Sequence, residues 1–169
     1  EHAREMARIT ADAVGCTEEE VLVASTGVIG QHLPLDPFKT GVPQAFAEAS
    51  REGGASAARA IMTTDTHPKE YAVSFSGDEL GFDGVTFTVG GMSKGSGMIM
   101  PNMATMIAIV TTDAPIAAAH LSQILRDAVG VSFNKITVDS DTSTNDTCVT
   151  LASGAAAPGA APIEPGTPA

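Results

Sequence analysis

The sequence predicts an α+β fold in which mixed β-sheets are flanked by helices. Three observations carry that prediction. Helical stripes and short strand-like apolar runs follow one another irregularly, without the strict βαβ alternation of a doubly wound sheet. Hydrophobic residues make up 43% and charged residues 17% of a 169-residue chain, a globular balance with enough length for one real core. Aromatic residues supply only 4% and Trp is absent, so Val, Ile, Leu, Met and Ala must build that core, while 17 Gly and 10 Pro imply many tight turns.

The elements follow in order. Ala3, Met6, Ala7 and Val14 fall near one helical stripe, predicting a helix over residues 1–14 that Gly15 stops. Residues 17–20 match a capping box and predict a short helical turn. The apolar run 21–24 reads as a buried strand, interrupted by the glycines of Ser25-Thr26-Gly27-Val28-Ile29-Gly30. Pro34, Pro37 and Pro43 argue against any regular element in 31–43. Residues 44–62 are Ala-rich and read as helix, broken near Gly53-Gly54. Residues 71–76 and 85–89 alternate as strands, and the Gly/Asp-rich segment between them predicts a hairpin. Residues 90–102 are rich in Gly and Met, and 105–110 form the next strand-like run. Asp113 is placed to cap a helix over 115–129, with Pro115 in its first turn and Gly130 after it. Residues 135–138 and 148–152 read as strands on either side of a polar run.

A net charge of −11 works against binding nucleic acid or an anionic membrane. Cys16 and Cys148 make neither a disulfide framework nor a zinc pattern and read as free thiols of a reducing, cytoplasmic compartment. No run reaches the ~18 apolar residues of a spanning helix, and the first residues show no signal-peptide pattern. The Ala-, Pro- and Gly-rich end, from about residue 156 to 169, is expected to be unstructured. Both ends read as cuts or processing points.

Chemistry concentrates around residues 90–110. Gly90-Gly91-Met92-Ser93-Lys94-Gly95-Ser96-Gly97 is not a phosphate loop, because Ser precedes the Lys and Gly follows it. Gly91-Met92-Ser93-Lys94-Gly95 fits the pattern of a nucleophile elbow, but Gly95, Gly97 and Pro101 disfavour the helix that motif needs. A flexible surface loop and a glycine-rich approach to a reactive backbone site both remain open. Thr105 opens an apolar run behind the small Ala104. Such a hydroxyl can attack its own preceding carbonyl, leaving an N-terminal Thr whose amine serves as base. Thr105 can equally be a β-branched residue that favours strands. At Thr26 and Gly27, a hydroxyl and a backbone N–H could hold an oxyanion, or form an ordinary turn. The run 139–146 fails as a calcium loop, since Thr144 and Thr150 occupy the positions that need Gly and an acid. It reads as a turn satisfied by its own side chains. His2, His32, His67 and His120 show no metal-ligand spacing, so no metal is expected.

Lys94-Gly95-Ser96-Gly97-Met98-Ile99-Met100-Pro101-Asn102-Met103-Ala104-Thr105-Met106 closely resembles the self-cleavage segment of the ornithine acetyltransferases, the bifunctional glutamate N-acetyltransferases of arginine biosynthesis. Four further segments match that family in order: Ser25 to Gly30, Ala60-Ile61-Met62-Thr63-Thr64-Asp65-Thr66, Thr111-Thr112-Asp113-Ala114, and Asp141-Thr142-Ser143-Thr144-Asn145-Asp146-Thr147. The likeness covers residues 1–155.

The resemblance implies a layered sandwich related to self-cleaving amidohydrolase-type folds, with 1–155 as the central part of a single catalytic domain, incomplete at both ends. It implies autoproteolysis between Ala104 and Thr105 into α and β chains, assembled as an α2β2 heterotetramer. Thr105 would then take acetyl from N-acetylornithine, and in some members from acetyl-CoA, and pass it to glutamate without a cofactor. Thr26 and Gly27 would form the oxyanion hole, and Thr63, Lys94 and Thr105 would contact substrate. A Glu and an Asn-containing segment that complete the site in the family have no counterpart in this chain. A threonine-nucleophile amidohydrolase or aminopeptidase, a catalytically silent fragment, and a serine hydrolase acting through Ser93 are the competing readings.

Overall fold

A computed structural model describes residues 1–28, 30–97, 106–139, 141, 143 and 146–165. The chain divides into two compact units, Glu1–Gly54 and Ala55–Ala169.

In the first unit, helix α1 spans His2–Val14 and buries Met6, Ala7, Ile9 and Ala11. Gly15 ends it in the left-handed region, φ 83°, and donates its N–H to the Ala11 carbonyl. That is the stop the sequence predicts, because glycine enters this conformation without steric cost. Thr17 and Glu20 form the expected capping box around a single 3-10 turn. Two expectations fail here. Residues 21–28 form no strand, and Leu22 is 67% exposed. Four apolar residues cannot hold extended structure without a neighbouring ladder to satisfy their backbone. Residues 31–43, expected to be irregular, instead contribute most of helix α2, Asp36–Ala47, which packs against α1. Pro37 sits in the first turn, where its missing N–H has no intrahelical partner to lose. Pro43 lies inside the helix and removes one hydrogen bond without ending it.

Helix α3 (Gly54–Ala60) starts at the boundary, and among its described residues the second unit carries one mixed sheet of four strands. These are β1 (Lys69–Ser76), β2 (Thr86–Lys94), β3 (Ile107–Thr112) and β4 (Thr147–Ala152), side by side in sequence order. β1, β2 and β3 are antiparallel, whereas β3 and β4 are parallel. Parallel neighbours need a long crossover, and helix α4 (Ala118–Val131) lies in it and contacts β4. The α+β expectation therefore holds.

The β1–β2 hairpin turns where predicted. At Gly77 an added Cβ would meet Phe87 Cε2 at 2.8 Å and Phe82 Cβ at 2.9 Å, so nothing larger than glycine fits. Phe87 is fully buried, edge-on to Phe82 with ring centroids 5.2 Å apart and tilted against Phe75 at 5.9 Å. β2 runs five residues past its predicted end at 89. Gly90 and Gly91 do not break it; a Cβ on Gly91 would lie 3.1 Å from the Ile109 carbonyl oxygen, so the small residue permits close approach of β3.

Further along, residues 135–138 do not form the expected strand. A 3-10 turn occupies Phe133–Lys135, and Val138 is 58% exposed, without a ladder partner. Asp113 does not cap α4, whose N-cap is Ala117. It accepts the Thr88 N–H instead, at 2.7 Å, and extends the β2–β3 ladder. Past residue 156, where no structure was expected, Ile163 forms a parallel bridge with Ile116 and donates its N–H to the Pro115 carbonyl. Tyr71, Val73 and Phe75 leave one face of the edge strand β1 exposed. Cys16 and Cys148 are both free thiols. No helix among the described residues is long and apolar enough to cross a membrane.

Candidate functional site

The site is built where β2 ends, β3 begins and β4 begins. Lys94 is the last residue of β2, and it pairs with Ile107, which in turn pairs with Thr147. Three strand ends thus align, and the chemistry-bearing side chains gather around them.

Lys94 is only 3% exposed. Burying an ammonium is costly unless it meets compensating charge or hydrogen bonds, so the position demands an explanation beyond packing. Asp146 supplies part of it. This half-buried carboxylate lies close enough to Lys94 to feel its charge, and its Oδ1 accepts the Met106 N–H at 2.9 Å. Burial pushes the Asp146 carboxyl above its ordinary range; the Met106 N–H and the Lys94 charge oppose that rise without cancelling it. Burial likewise pushes the neighbouring Cys148 thiol up, away from the thiolate a reactive cysteine needs.

At Gly95, the residue after Lys94, the turn before β1 reaches in through Asp65. The Asp65 side chain is fully buried, yet it is ionised. Its Oδ1 accepts the Gly95 N–H at 2.8 Å and pairs with Lys69 Nζ, and its Oδ2 accepts the Thr63 N–H at 3.2 Å. Burial works to raise this carboxyl, but Lys69 and the two backbone donors outweigh it and hold it well below the usual carboxylate range. Gly95 has φ 144°, a conformation that side-chain-bearing residues rarely adopt. A second link crosses the same gap, where the hydroxyls of Thr64 and Ser96 lie 2.5 Å apart.

The predicted residues distribute as follows. Thr63 and Lys94 both lie in the second unit, and Asp65 bonds the Thr63 N–H and the N–H of Gly95, the residue after Lys94. Thr63 is exposed, so its side chain is accessible. Ala104 and Thr105 lie outside the described residues. Met106, next in the chain, is described and is held by Asp146. Thr26 and Gly27 belong to the first unit, in the irregular stretch 21–28, with Thr26 half-buried and Gly27 exposed. Ser93 is internal to β2, paired with Lys69 and Ala108, so the strand–turn–helix of a nucleophile elbow is absent at that position. Among the described residues, no three or more His, Cys, Asp or Glu side chains cluster as metal ligands would.

Two residues at the site escaped the sequence reading. Asp65 and Asp146 both lie in segments singled out by their motifs, but neither received a role. The available signal was an acid placed beside a strand end in an otherwise small and hydroxylated segment. For Asp146 that signal was hidden by a polar run that resembles an ordinary turn.

Comparison with known proteins adds a separate line of support. A family model described as the ArgJ family matches residues 1–166. The chain is similar to the arginine biosynthesis bifunctional protein ArgJ of Symbiobacterium thermophilum, 56% identical over 154 residues, covering 91% of this chain and 37% of that protein. The protein of the same name from Thermosynechococcus vestitus is 50% identical over 148 residues, covering 88% of this chain and 34% of its own length. Among solved structures, the arginine biosynthesis bifunctional protein argJ of Bacillus halodurans superposes with a TM-score of 0.51 at 40% identity, covering 61% of this chain and 51% of that one. The chain spans little more than a third of the length of these curated relatives.

Proposed function

This chain belongs to the ArgJ family, and from that premise we propose that it is the central part of a glutamate N-acetyltransferase of arginine biosynthesis. Residues 1–155 contribute to one catalytic domain, which cleaves itself between Ala104 and Thr105 and works through an acetyl-threonine. The observation that carries the reading is the pairing of Lys94 with Ile107. It sets a buried cation beside the start of β3, two residues after Thr105 in the chain.

Cleavage begins when the Thr105 hydroxyl adds to the Ala104 carbonyl. The C–N bond breaks, the nitrogen takes a proton, and the acyl group now sits on the oxygen as an ester. Water hydrolyses that ester, leaving a carboxylate on Ala104 and a free amine on Thr105. In the transfer reaction the same hydroxyl adds to the acetyl carbonyl of N-acetylornithine, with the amine of Thr105 accepting the proton. Ornithine departs as an amine carrying that proton. The amine of glutamate then attacks the acetyl ester, and Thr105 is regenerated. Splitting one acyl transfer into two steps lowers the barrier of each.

Thr26 and Gly27 are the oxyanion donors in this scheme; a lost donor of that kind typically costs about 3–4 kcal/mol of transition-state stabilisation. Lys94 pairs with a substrate carboxylate as a point charge, and Thr63 contacts substrate beside it. Asp146 fixes the Met106 N–H, so the backbone following the nucleophile has little freedom. The reaction requires no cofactor, although acetyl-CoA is a chemically equivalent acyl donor. The two chains produced by cleavage stay together, as an α2β2 assembly in the cytoplasm.

The test is the intact mass of the full-length protein. Wild type should give two chains and Thr105→Ala one; two chains from the variant would move the cleavage point and end this assignment. Product analysis with and without glutamate then separates transfer from hydrolysis. Acetate released at the same rate in both would make the protein an amidohydrolase.

A further inference from the structure

We infer that Asp65 is a positioning residue for substrate recognition, a buried carboxylate that fixes Thr63 and Lys94 relative to each other so that both meet one amino-acid substrate. The inference rests on the proposed role of Lys94 and Thr63 and adds what holds them in place.

Asp65 carries three bonds, and each has a different origin. The Thr63 N–H comes from its own turn, the Lys69 ammonium from the first residue of β1, and the Gly95 N–H from the residue after β2. One side chain therefore ties the turn before β1 to the end of β2. The Thr64–Ser96 contact closes the same gap one residue further along on each side. Between these two ties, the backbone at 63–65 and 94–96 is held as a pair of facing segments.

The Asp65 side chain is buried while that of Lys69 stays 35% exposed, and an ion pair with one desolvated partner is a poor device for stability. Desolvation offsets most of its attraction, and an apolar replacement of similar volume is commonly neutral or better. A buried carboxylate aimed at backbone N–H groups is, however, a good device for geometry. It fixes direction and distance at once, and a binding constellation needs its supporting groups held to about 0.5 Å. The pairing also has an electrostatic consequence. Lys69 neutralises Asp65 within the same cluster, so the carboxylate adds no net negative charge where Lys94 must attract an anionic substrate. Gly95 completes the arrangement. At φ 144° it turns its N–H toward Asp65 immediately after the strand ends, a geometry a side chain would oppose.

The experiment is steady-state acetyl transfer by the full-length enzyme carrying Asp65→Ala, Asp65→Asn, Lys94→Ala and the double change Asp65→Ala with Lys94→Ala. Chain masses and melting curves establish which variants are folded and cleaved. A misplaced binding group raises KM and leaves kcat close to wild type. Asp65→Ala is expected to raise KM for N-acetylornithine about tenfold, equivalent to about 1.4 kcal/mol of lost binding. Asp65→Asn keeps an acceptor for the Gly95 N–H but turns its NH2 toward the Thr63 N–H, so it should recover only part of the loss. The double variant should fall short of the product of the two single effects, because part of the Asp65 effect passes through Lys94 and the rest through Thr63.

An additive double variant, or a fall in kcat at unchanged KM, overturns the inference. Lys94→Ala with an unchanged KM removes the underlying reading of Lys94 instead, and the inference with it. Should Asp65→Ala fail to fold, Thr64→Val cuts the second tie alone. It should raise KM roughly twofold to threefold with kcat unchanged, and a folded Thr64→Val enzyme with wild-type KM counts against the clamp.

Discussion

The two ends of β2 are built on opposite principles. At the first end, Phe87 is fully buried among Phe75 and Phe82, and the adjoining backbone is closed by neutral bonds and one carboxylate: Thr112 donates to the Thr88 carbonyl, and the Thr88 N–H meets Asp113. At the last end, Lys94 is buried beside Asp146 and next to the Asp65 cluster. Positions 87 and 94 differ by an odd number, so the unbroken pleat sends the two side chains to opposite faces. One end gains stability from burial of an aromatic ring. The other gives stability up by taking charges out of water. A fold does not need the second arrangement, which is why that end is read as the site.

The comparison can be broken most directly at Phe87. Phe87→Ala should cost about 3–5 kcal/mol through the lost transfer energy and the cavity left behind, read from denaturant midpoints at unchanged slope. A loss below about 1 kcal/mol would mean that this end is not the stabilising one. Lys94→Met tests the other half. Combined with Asp146→Asn, so that no charge is left without its partner, it retains the length of the stem without its charge, and stability should stay within about 1 kcal/mol of wild type or improve, while KM for N-acetylornithine rises. Destabilisation as large as that of Phe87→Ala would make Lys94 a structural residue.

Acid titration gives the smallest and most specific effect. The Asp65 carboxyl is held below its ordinary value of 3.8. Its contribution is therefore complete above that value and is lost as pH falls through the lower folded-state value. The Asp146 carboxyl is shifted upward from 3.8, so the folded state holds its proton more tightly and stability declines as pH rises through the interval just above that value. Melting temperature against pH should accordingly flatten below about pH 4 in Asp65→Asn and above it in Asp146→Asn. Identical slopes in wild type and both variants would detach these carboxylates from the energetics of the site.

Much of the architecture was legible because it depends on local rules. The stripe of α1, its stop at Gly15, the capping box at Thr17 and the alternation in β1 and β2 all report short-range steric and burial preferences. The failures share a different cause. Residues 21–24 and 135–138 have strand composition, but a strand exists only where a neighbouring ladder accepts its backbone groups, and none of the sheet strands pairs with them. Pro37 and Pro43 were read as breakers, yet their effect depends on where in the helix they fall. For Gly90 and Gly91 the sequence leaves a flexible loop and a close backbone approach both open, and their lack of side chains lets two strands approach closely.

What the sequence by itself determined is the α+β class and the family, because residue types in fixed order survive in one dimension. What only the tertiary structure decided is their company. Asp65 reaches Gly95 across thirty positions, and Asp146 reaches Met106 across forty. Such contacts arise from strand register and the burial of the intervening chain, and no spacing rule along the sequence encodes which carboxylate will face which amide.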